Sequence, residues 1–302
     1  MKKVLIVYYS QTGQVKSIID SLVSGFTNTD RIQFDYFRIK PEQDFPFPWP
    51  SDDFFDSMPE SVKGIPVPVD MSDFPIYTHY DLVVLAGQVW YLSPSIPLMS
   101  FLLSNEALDF FKGKNVITLY GVRNMWLMAH NRVSSALKAM NATLVGNIVL
   151  VDRAGNSVSV LTIIRWLLKG KKGPSRFLPE AGVSGKEIAE SSKFAKPVEL
   201  ALLSNDFSLM QHQLIQLGGV PIQFHVMSIE KTAIKIFRRF ADFILKKGIA
   251  GEKRRLRRVR FFKYYLLIVI FLLFPFAALV FRLKKLFFPS KAKEQINEAI
   301  NV

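Results

Sequence analysis

The sequence holds no cysteine. Disulfides, thiolate nucleophiles and cysteine metal sites are therefore excluded. Histidine is scarce: His79, His130, His212 and His225 stand at no metal-ligand spacing, so no metal is expected. No Gly-x-Gly-x-x-Gly and no Walker lysine pattern occurs, which leaves dinucleotide and nucleoside-triphosphate loops unsupported. Net charge is missing from residues 1–230, which carry 21 Lys/Arg and 21 Asp/Glu. The +14 of the whole chain comes from residues 231–293, where 18 Lys/Arg face only Asp242 and Glu252. A basic stretch beside an apolar run points to anionic lipid rather than nucleic acid. The start, Met-Lys-Lys-Val-Leu-Ile-Val-Tyr-Tyr-Ser, is too short and strand-like for a signal peptide, so the first domain is expected in the cytosol.

What is present reads as alternating strands and helices. Val4–Tyr9 is a continuous apolar run, the pattern of a parallel strand buried on both faces. Val15, Ile18, Ile19, Leu22, Val23 and Phe26 recur at helical spacing. Further strands are expected at Ile32–Ile39, Tyr80–Gly87, Asn115–Gly121 and Leu144–Val151, with helices beginning at Ile96 and Met128. That rhythm suits right-handed βαβ units in a doubly wound sheet of order 2-1-3-4-5. Residues 41–75 hold eight of the sixteen prolines, with Phe45, Phe47, Trp49, Phe54 and Phe55 among them, which predicts a long irregular excursion. Beyond Asp152, helices are expected over Val158–Lys169, Gly185–Ala195, Pro197–Leu217 and Glu230–Lys247, with a short strand at Ile222–Val226.

Tyr264–Phe281 runs 18 residues without a charge. At about 1.5 Å per residue it reaches roughly 27 Å, just under a hydrocarbon core of about 30 Å. Seven Lys/Arg precede it in Lys253–Lys263 and three follow in Arg282–Lys285. The expectation is a membrane-associating helix, or a re-entrant hairpin turned at Pro275; a buried core helix is the bland alternative.

Ser10-Gln11-Thr12-Gly13-Gln14-Val15 lies between the first strand and its helix. A helix N-terminus offers unpaired N–H groups and the positive end of a dipole, and both favour an anion. Ser10 and Thr12 add hydroxyls. Read alone, the six residues are also compatible with a plain polar βα turn. Two further loops leave the same sheet edge: Gly87-Gln88-Val89-Trp90-Tyr91 after the third strand and Gly121-Val122-Arg123-Asn124-Met125-Trp126 after the fourth. Trp90 and Tyr91 offer flat apolar faces.

Tyr8-Tyr9-Ser10-Gln11-Thr12-Gly13 resembles the flavodoxin signature, whose Ser/Thr-x-Thr-Gly-x-Thr loop binds the phosphate of FMN. Val15 replaces the last Thr and removes one hydroxyl, as in flavodoxin-like quinone reductases. The resemblance implies a flavodoxin-like doubly wound five-stranded parallel sheet with FMN as cofactor. It places Ser10, Gln11, Thr12, Gly13, Gln14 and Val15 at the phosphate. Gly87, Gln88, Val89, Trp90, Tyr91, Gly121, Val122, Arg123, Asn124, Met125 and Trp126 would then lie about the ring. Arg123 beside the N1/C2 side would stabilise the anionic reduced flavin, and His130, opening the next helix, is the candidate proton donor or base.

Over nearly its full length the chain also resembles the dialkylresorcinol-condensing (DarA) group of aryl-polyene and flexirubin-type pathways. The matching segments are the start, Pro46–Trp49, Phe54–Val62, Gly121–Trp126 and the basic-hydrophobic tail. That resemblance implies an oxidoreductase that aromatises a dialkyl-cyclohexanedione to a dialkylresorcinol, beside a partner ketosynthase and at the cytosolic face of the membrane. The alternatives are a membrane-tethered electron carrier and a flavin-free scaffold for the ketosynthase. The expected organisation is an FMN domain (1–157, with 41–75 inserted), a helical extension packed on it (158–250), a polybasic and hydrophobic membrane segment (251–285) and a tail (286–302). The partners expected are an apolar dialkyl cyclic substrate, the ketosynthase and anionic lipid, with no nucleic acid; a homo-oligomer is also admitted.

Overall fold

A computed structural model describes residues 1–273, 276, 280, 290 and 293–296. Five strands build one sheet: β1 (Lys2–Tyr8), β2 (Ile32–Arg38), β3 (Leu82–Gly87), β4 (Asn115–Val122) and β5 (Thr143–Val151). All pairs are parallel and the order is β2-β1-β3-β4-β5, as the sequence rhythm predicts. Leu5 and Val7 feed one core while Val4, Ile6 and Tyr8 feed the other, so β1 is apolar throughout because both its faces are covered. Since every strand runs the same way, the loops after β1, β3 and β4 gather on one edge. α1 (Gln14–Ser24) follows β1 and turns Val15, Ile18, Ile19 and Leu22 inward.

The excursion departs from the expectation of irregular structure. It folds into α2 (Ser51–Asp56) and α3 (Met58–Lys63), and Lys40–Pro41 pairs with Val69–Asp70 in a two-residue antiparallel ribbon. The prolines do not prevent this because of where they fall. Pro50 occupies the N-cap of α2 and Pro59 the first turn of α3, where a missing N–H breaks no intrahelical bond.

α4 (Ile96–Leu102), α5 (Asn105–Phe111) and α6 (Leu127–Ala139) cover the Leu5 face of the sheet. After β5 come α7 (Asn156–Lys169), stopped by Gly170 at φ 67, then α8 (Gly185–Glu190), α9 (Ala195–Ser204) and α10 (Met210–Gln216). Val183, Phe194, Val198, Met210 and Leu214 join α1 on the other face. The single helix expected over 197–217 is two, because Asn205 turns left-handed at φ 57 and ends α9. The strand expected at 222–226 is instead the start of a 22-residue helix, α11 (Phe224–Leu245). Val226 and Met227 are buried there at helical rather than alternating spacing, and Val226, Met227, Glu230, Ile234, Phe237, Ala241 and Ile244 form one continuous stripe.

α12 (Leu256–Ile268) widens into π-helical turns at Val269–Leu273. The apolar segment expected over Tyr264–Phe281 runs partly outside the described residues, as does most of the tail 286–302. Among the described residues no helix is long and apolar enough to cross a membrane.

A third core joins parts of the chain about two hundred residues apart. Phe55, Met58 and Val62 pack on Ile234, Phe237, Ala241, Val259 and Phe262. At its rim Arg255 is fully buried. Its guanidinium donates to Asp56 Oδ1 (2.6 Å) and Asp56 O (2.6 Å), to Glu60 Oε1 (2.7 Å) and Oε2 (3.1 Å), and to Gly248 O (3.3 Å). Asp56 Oδ2 also accepts from Gly251 N at 2.8 Å. Removing one partner of a buried pair strands the other charge, at a cost of about 3–5 kcal/mol. Arg255→Met is expected to destabilise by that amount, and adding Asp56→Leu and Glu60→Leu should recover most of it. Urea midpoints of the single and triple variants check this; a triple variant no more stable than the single one would contradict it.

Candidate functional site

The loop after β1 is poised for an anion. Gly13 caps α1 at φ 82, a left-handed conformation that glycine adopts without strain. The first intrahelical bond runs from Ser17 N to Gly13 O (3.0 Å), so the N–H groups from Gln11 to Val15 precede the helical ladder. Ser10 Oγ accepts from Lys16 N (3.3 Å), which bends the loop over the helix start. Three members of the loop serve the scaffold with their side chains. Gln11 Nε2 donates to Pro46 O (3.0 Å) and fastens the excursion down. Gln14 is buried and trades bonds with the Val183 backbone (3.2 and 3.4 Å). Val15 lies wholly in the core, so only its N–H can meet a ligand. The missing hydroxyl at Val15 thus reflects an inward-facing position.

After β3, Val89–Trp90 and Ser93–Pro94 form a tight hairpin with Tyr91 at φ 49 and Leu92 at φ 63. Left-handed geometry costs a side-chain-bearing residue roughly 1–2 kcal/mol. Tyr91 is held by its hydroxyl, which donates to Phe54 O (2.7 Å), and by ring contacts with Phe54, Phe237 and Phe262. Tyr91 therefore turns toward the third core. Trp90 keeps to the sheet edge, edge-on to Tyr9, Phe45 and Trp49 at 5.9, 5.1 and 5.5 Å. Gln88 Oε1 is buried without a partner. Gly87 serves packing: a Cβ there would meet Leu98 Cδ2 at 2.5 Å.

After β4, Gly121 also serves packing, since a Cβ would stand 2.8 Å from Ile18 Cδ1 of α1. Val122 belongs to the core. Trp126 is buried and its Nε1 donates to Pro221 O (3.2 Å), so it anchors the end of the loop. Arg123 and Asn124 converge on a residue that sequence reasoning missed, Asn156 at the start of α7. Arg123 donates to Asn156 Oδ1 (2.6 Å), and Asn124 Nδ2 donates to the same oxygen (3.0 Å). A guanidinium can only donate, so the Asn156 oxygen is fixed as the acceptor. Its Nδ2 must then be a spare donor, and Asn124, having given its amine, must present a spare acceptor. Asn156 Nδ2 and Asn124 Oδ1 are indeed both buried without a partner. Such orphans mark either strain or a ligand.

Arg123 makes no ion pair among the described residues; burial draws its pKa down to about 10, and the Asp152 charge opposes this. It lies in the wall of an apolar cavity of about 220 Å³ with Val89, Tyr91, Met125 and Asn156, closed by α11 and α12.

His130 does not stand at the site. It lies within α6, buried edge-on to the rings of Tyr120 and Trp126, with Nδ1 unpartnered and no place in the cavity wall. Burial pushes its pKa down to about 4, which makes it a weak base. A second missed residue, Glu230 of α11, accepts from Met128 N at the first turn of α6 (2.8 Å) and so sits behind the Arg123–Trp126 loop. Burial lifts its pKa to about 7, against the N–H groups of Met128, Leu127 and Trp126. Its only sequence signal is an acid at a core position of an otherwise basic helix.

The strand order is that of a flavodoxin-like fold. Among solved structures the chain is similar to a flavoprotein in complex with FMN from Lactobacillus acidophilus NCFM, at 19% identity over 49% of this chain and 93% of that one, TM-score 0.37. It is similar to a flavodoxin from the domain Archaea, at 12% identity over 67% and 99%, TM-score 0.33. A third is a WrbA-like flavodoxin from Agrobacterium tumefaciens, at 6% identity over 68% and 99%, TM-score 0.39. No family model and no curated protein matches the chain. Likenesses this distant carry no site assignment, so the donors and acceptors must.

They fit a phosphate at one end, with free first-turn N–H groups and the Thr12 hydroxyl. At the other end they fit the edge of a flat heterocycle that both donates and accepts. Glu230 yields a prediction. Its pKa is raised in the fold, so the folded state holds the proton more tightly and Glu230's contribution to stability falls as pH rises from about 4.5 to 7. His130 works the other way, costing stability as pH falls from 6.5 toward 4. The difference between wild type and Glu230→Gln isolates the first term. Glu230→Gln should gain on wild type by on the order of 3 kcal/mol across that window. Urea midpoints from pH 4 to 8 test it, and a flat difference would refute it.

Proposed function

We propose that the chain is an FMN-dependent oxidoreductase acting at a membrane surface. The observation that carries this is the orphaned amide pair Asn124–Asn156. It lies on the same sheet edge as an anion-ready helix N-terminus. The phosphate would rest on the Gln11–Val15 N–H groups with Ser10 and Thr12, and the ring edge on Asn124 and Asn156, with Trp90 beside it. When bound, FMN supplies an acceptor for two electrons. Arg123 contributes positive charge where a substrate's oxygen gains negative charge, in a half-buried site where that charge is little screened.

The finer reading is aromatisation of a dialkyl-cyclohexanedione to a dialkylresorcinol, which removes two hydrogens from the ring. The apolar cavity next to Arg123 favours this over an electron carrier, which needs an exposed ring edge and no substrate cavity. Absorbance of the purified protein titrated with FMN tests the cofactor. Bound-flavin peaks are expected in wild type. Thr12→Val and Asn156→Leu should each weaken binding roughly tenfold or more, the worth of a hydrogen bond to a charged or buried group. No flavin binding in wild type would leave the scaffold for a ketosynthase. Bleaching of the bound flavin by a dialkyl-cyclohexanedione, with resorcinol formed, is expected of the aromatase.

The membrane reading rests on α12. Phe261, Tyr264, Ile268 and Leu272 recur at helical spacing and are each more than half exposed. Lys253, Arg257, Arg258 and Lys263 make no ion pair among the described residues, and near anionic lipid each is worth about 1 kcal/mol. These exposed apolar residues and unpaired cations favour an anionic bilayer as the occupant of that face. Sedimentation with phosphatidylglycerol vesicles should retain the protein at low salt. Leu272→Asp or zwitterionic vesicles should release most of it, and equal retention by both lipids would refute the charge argument.

A further inference from the structure

The cavity between α11 and α12 has a chemistry of its own. At about 220 Å³ it exceeds the roughly 150 Å³ that suffices for a benzene-sized guest. Its long walls are apolar: Ile229, Ala233 and Phe237 from α11, Leu266, Val269 and Ile270 from α12. Its polar end offers donors. Arg123 spends one nitrogen on Asn156 and keeps the rest of its guanidinium free of any carboxylate among the described residues. An apolar guest alone would leave these donors dry and unpaired, at about 1–3 kcal/mol each. A purely polar guest would waste the walls. A molecule with an acidic or enolic oxygen head and an alkyl chain satisfies both.

The seam between the helices suggests the way in. Phe237 and Phe240 meet Phe262 at 5.5 and 5.3 Å, and Phe240 meets Tyr265 at 4.7 Å, which closes one end. Past Tyr265 the wall is Leu266, Val269 and Ile270, where the helix loosens into π turns, a feature frequent at functional sites. The outer side of those same turns carries the exposed Ile268 and Leu272. One helix thickness therefore separates the apolar surface from the cavity.

We propose that this cavity binds the alkyl chain of an acidic-headed amphiphile, with its head on Arg123 and its entry between α11 and α12 from the apolar face. The proposal deepens the reading above by naming the kind of molecule the site takes. It rests on that reading for the reaction alone.

The test uses the full chain without detergent and the fluorescent fatty acid cis-parinaric acid as probe. Saturable binding at one site is expected, competed by a long-chain fatty acid at least tenfold better than by the alkanol of equal length. Ala233→Trp fills the cavity and should weaken binding at least tenfold. Ala233→Phe, a milder filling, should weaken it less, and both must keep the wild-type circular dichroism spectrum. Arg123→Gln should erase the preference for acid over alcohol. Leu272→Asp, on the outer face, should leave one-site affinity intact. Unchanged binding in both folded Ala233 variants would overturn the proposal. So would loss of binding in Leu272→Asp alone, or equal competition by acid and alcohol. FMN titration of the same samples separates the readings: fatty-acid binding without FMN binding would sink the flavoenzyme and keep this site, and the reverse would sink this site alone.

Discussion

A buried guanidinium is tolerable only where its donors find oxygens, and Arg255 finds them on Asp56 and Glu60. That requirement organises what lies above the sheet edge. To bring two carboxylates to one side chain, the excursion must place Asp56 and Glu60 at i and i+4, which α2 running into α3 does. To bring Arg255 to them, the chain after α11 must turn back through Gly248 and Gly251, both at positive φ. Once those ends are pinned, Phe55, Met58 and Val62 have a partner surface in α11 and α12. Tyr91 then has Phe54, Phe237 and Phe262 to lean on. The strained hairpin after β3, and the cavity it walls, therefore depend on an ion pair whose partners are about two hundred residues apart.

Behind the fourth-strand loop a second buried charge does similar work more loosely. Glu230 takes N–H groups that the start of α6 would otherwise leave unpaired, and it couples α11 to the loop bearing Arg123 and Asn124. Arg255 meets two opposite charges, whereas Glu230 meets backbone dipoles and, last in weight, the Lys231 charge, so burial raises its pKa while these resist. His130, a few residues along α6, has no such partner and stays neutral.

The sheet was legible because its signals are local and strong. Val4–Tyr9 and Leu82–Gly87 are apolar on both faces, and only a covered parallel strand asks for that. The turn into α1 was legible from Gly13 and its neighbours, yet not the division of labour within it. Gln14 and Val15 point inward and only their N–H groups remain, which a motif cannot say. Prolines misled over 41–75 because their meaning depends on position: Pro50 and Pro59 start helices rather than prevent them. Asn156 and Glu230 carry no spacing that betrays them. Each matters through a partner more than thirty residues away, and such pairings appear only once the fold has closed.

The basic segment shows the same limit in its charges. Counted along the sequence, Lys253–Lys263 offers seven cations to a membrane. In the fold, Arg255 is consumed by Asp56 and Glu60, Arg254 faces Glu252, and Arg260 faces Asp52. Arg258 lies over the Phe243 ring and donates to its carbonyl. Four cations stay without a carboxylate, and their surface attraction to anionic lipid is correspondingly smaller than the sequence implies, by about 1 kcal/mol for each one withdrawn. On the proposed membrane reading apolar contact would have to supply the difference, and Phe261, Tyr264, Ile268 and Leu272 are exposed on the outer side of the helix whose inner side walls the cavity. On that same reading, charge would chiefly orient the domain, while the outer face of α12 would set how close the Leu266–Ile270 wall comes to the acyl chains.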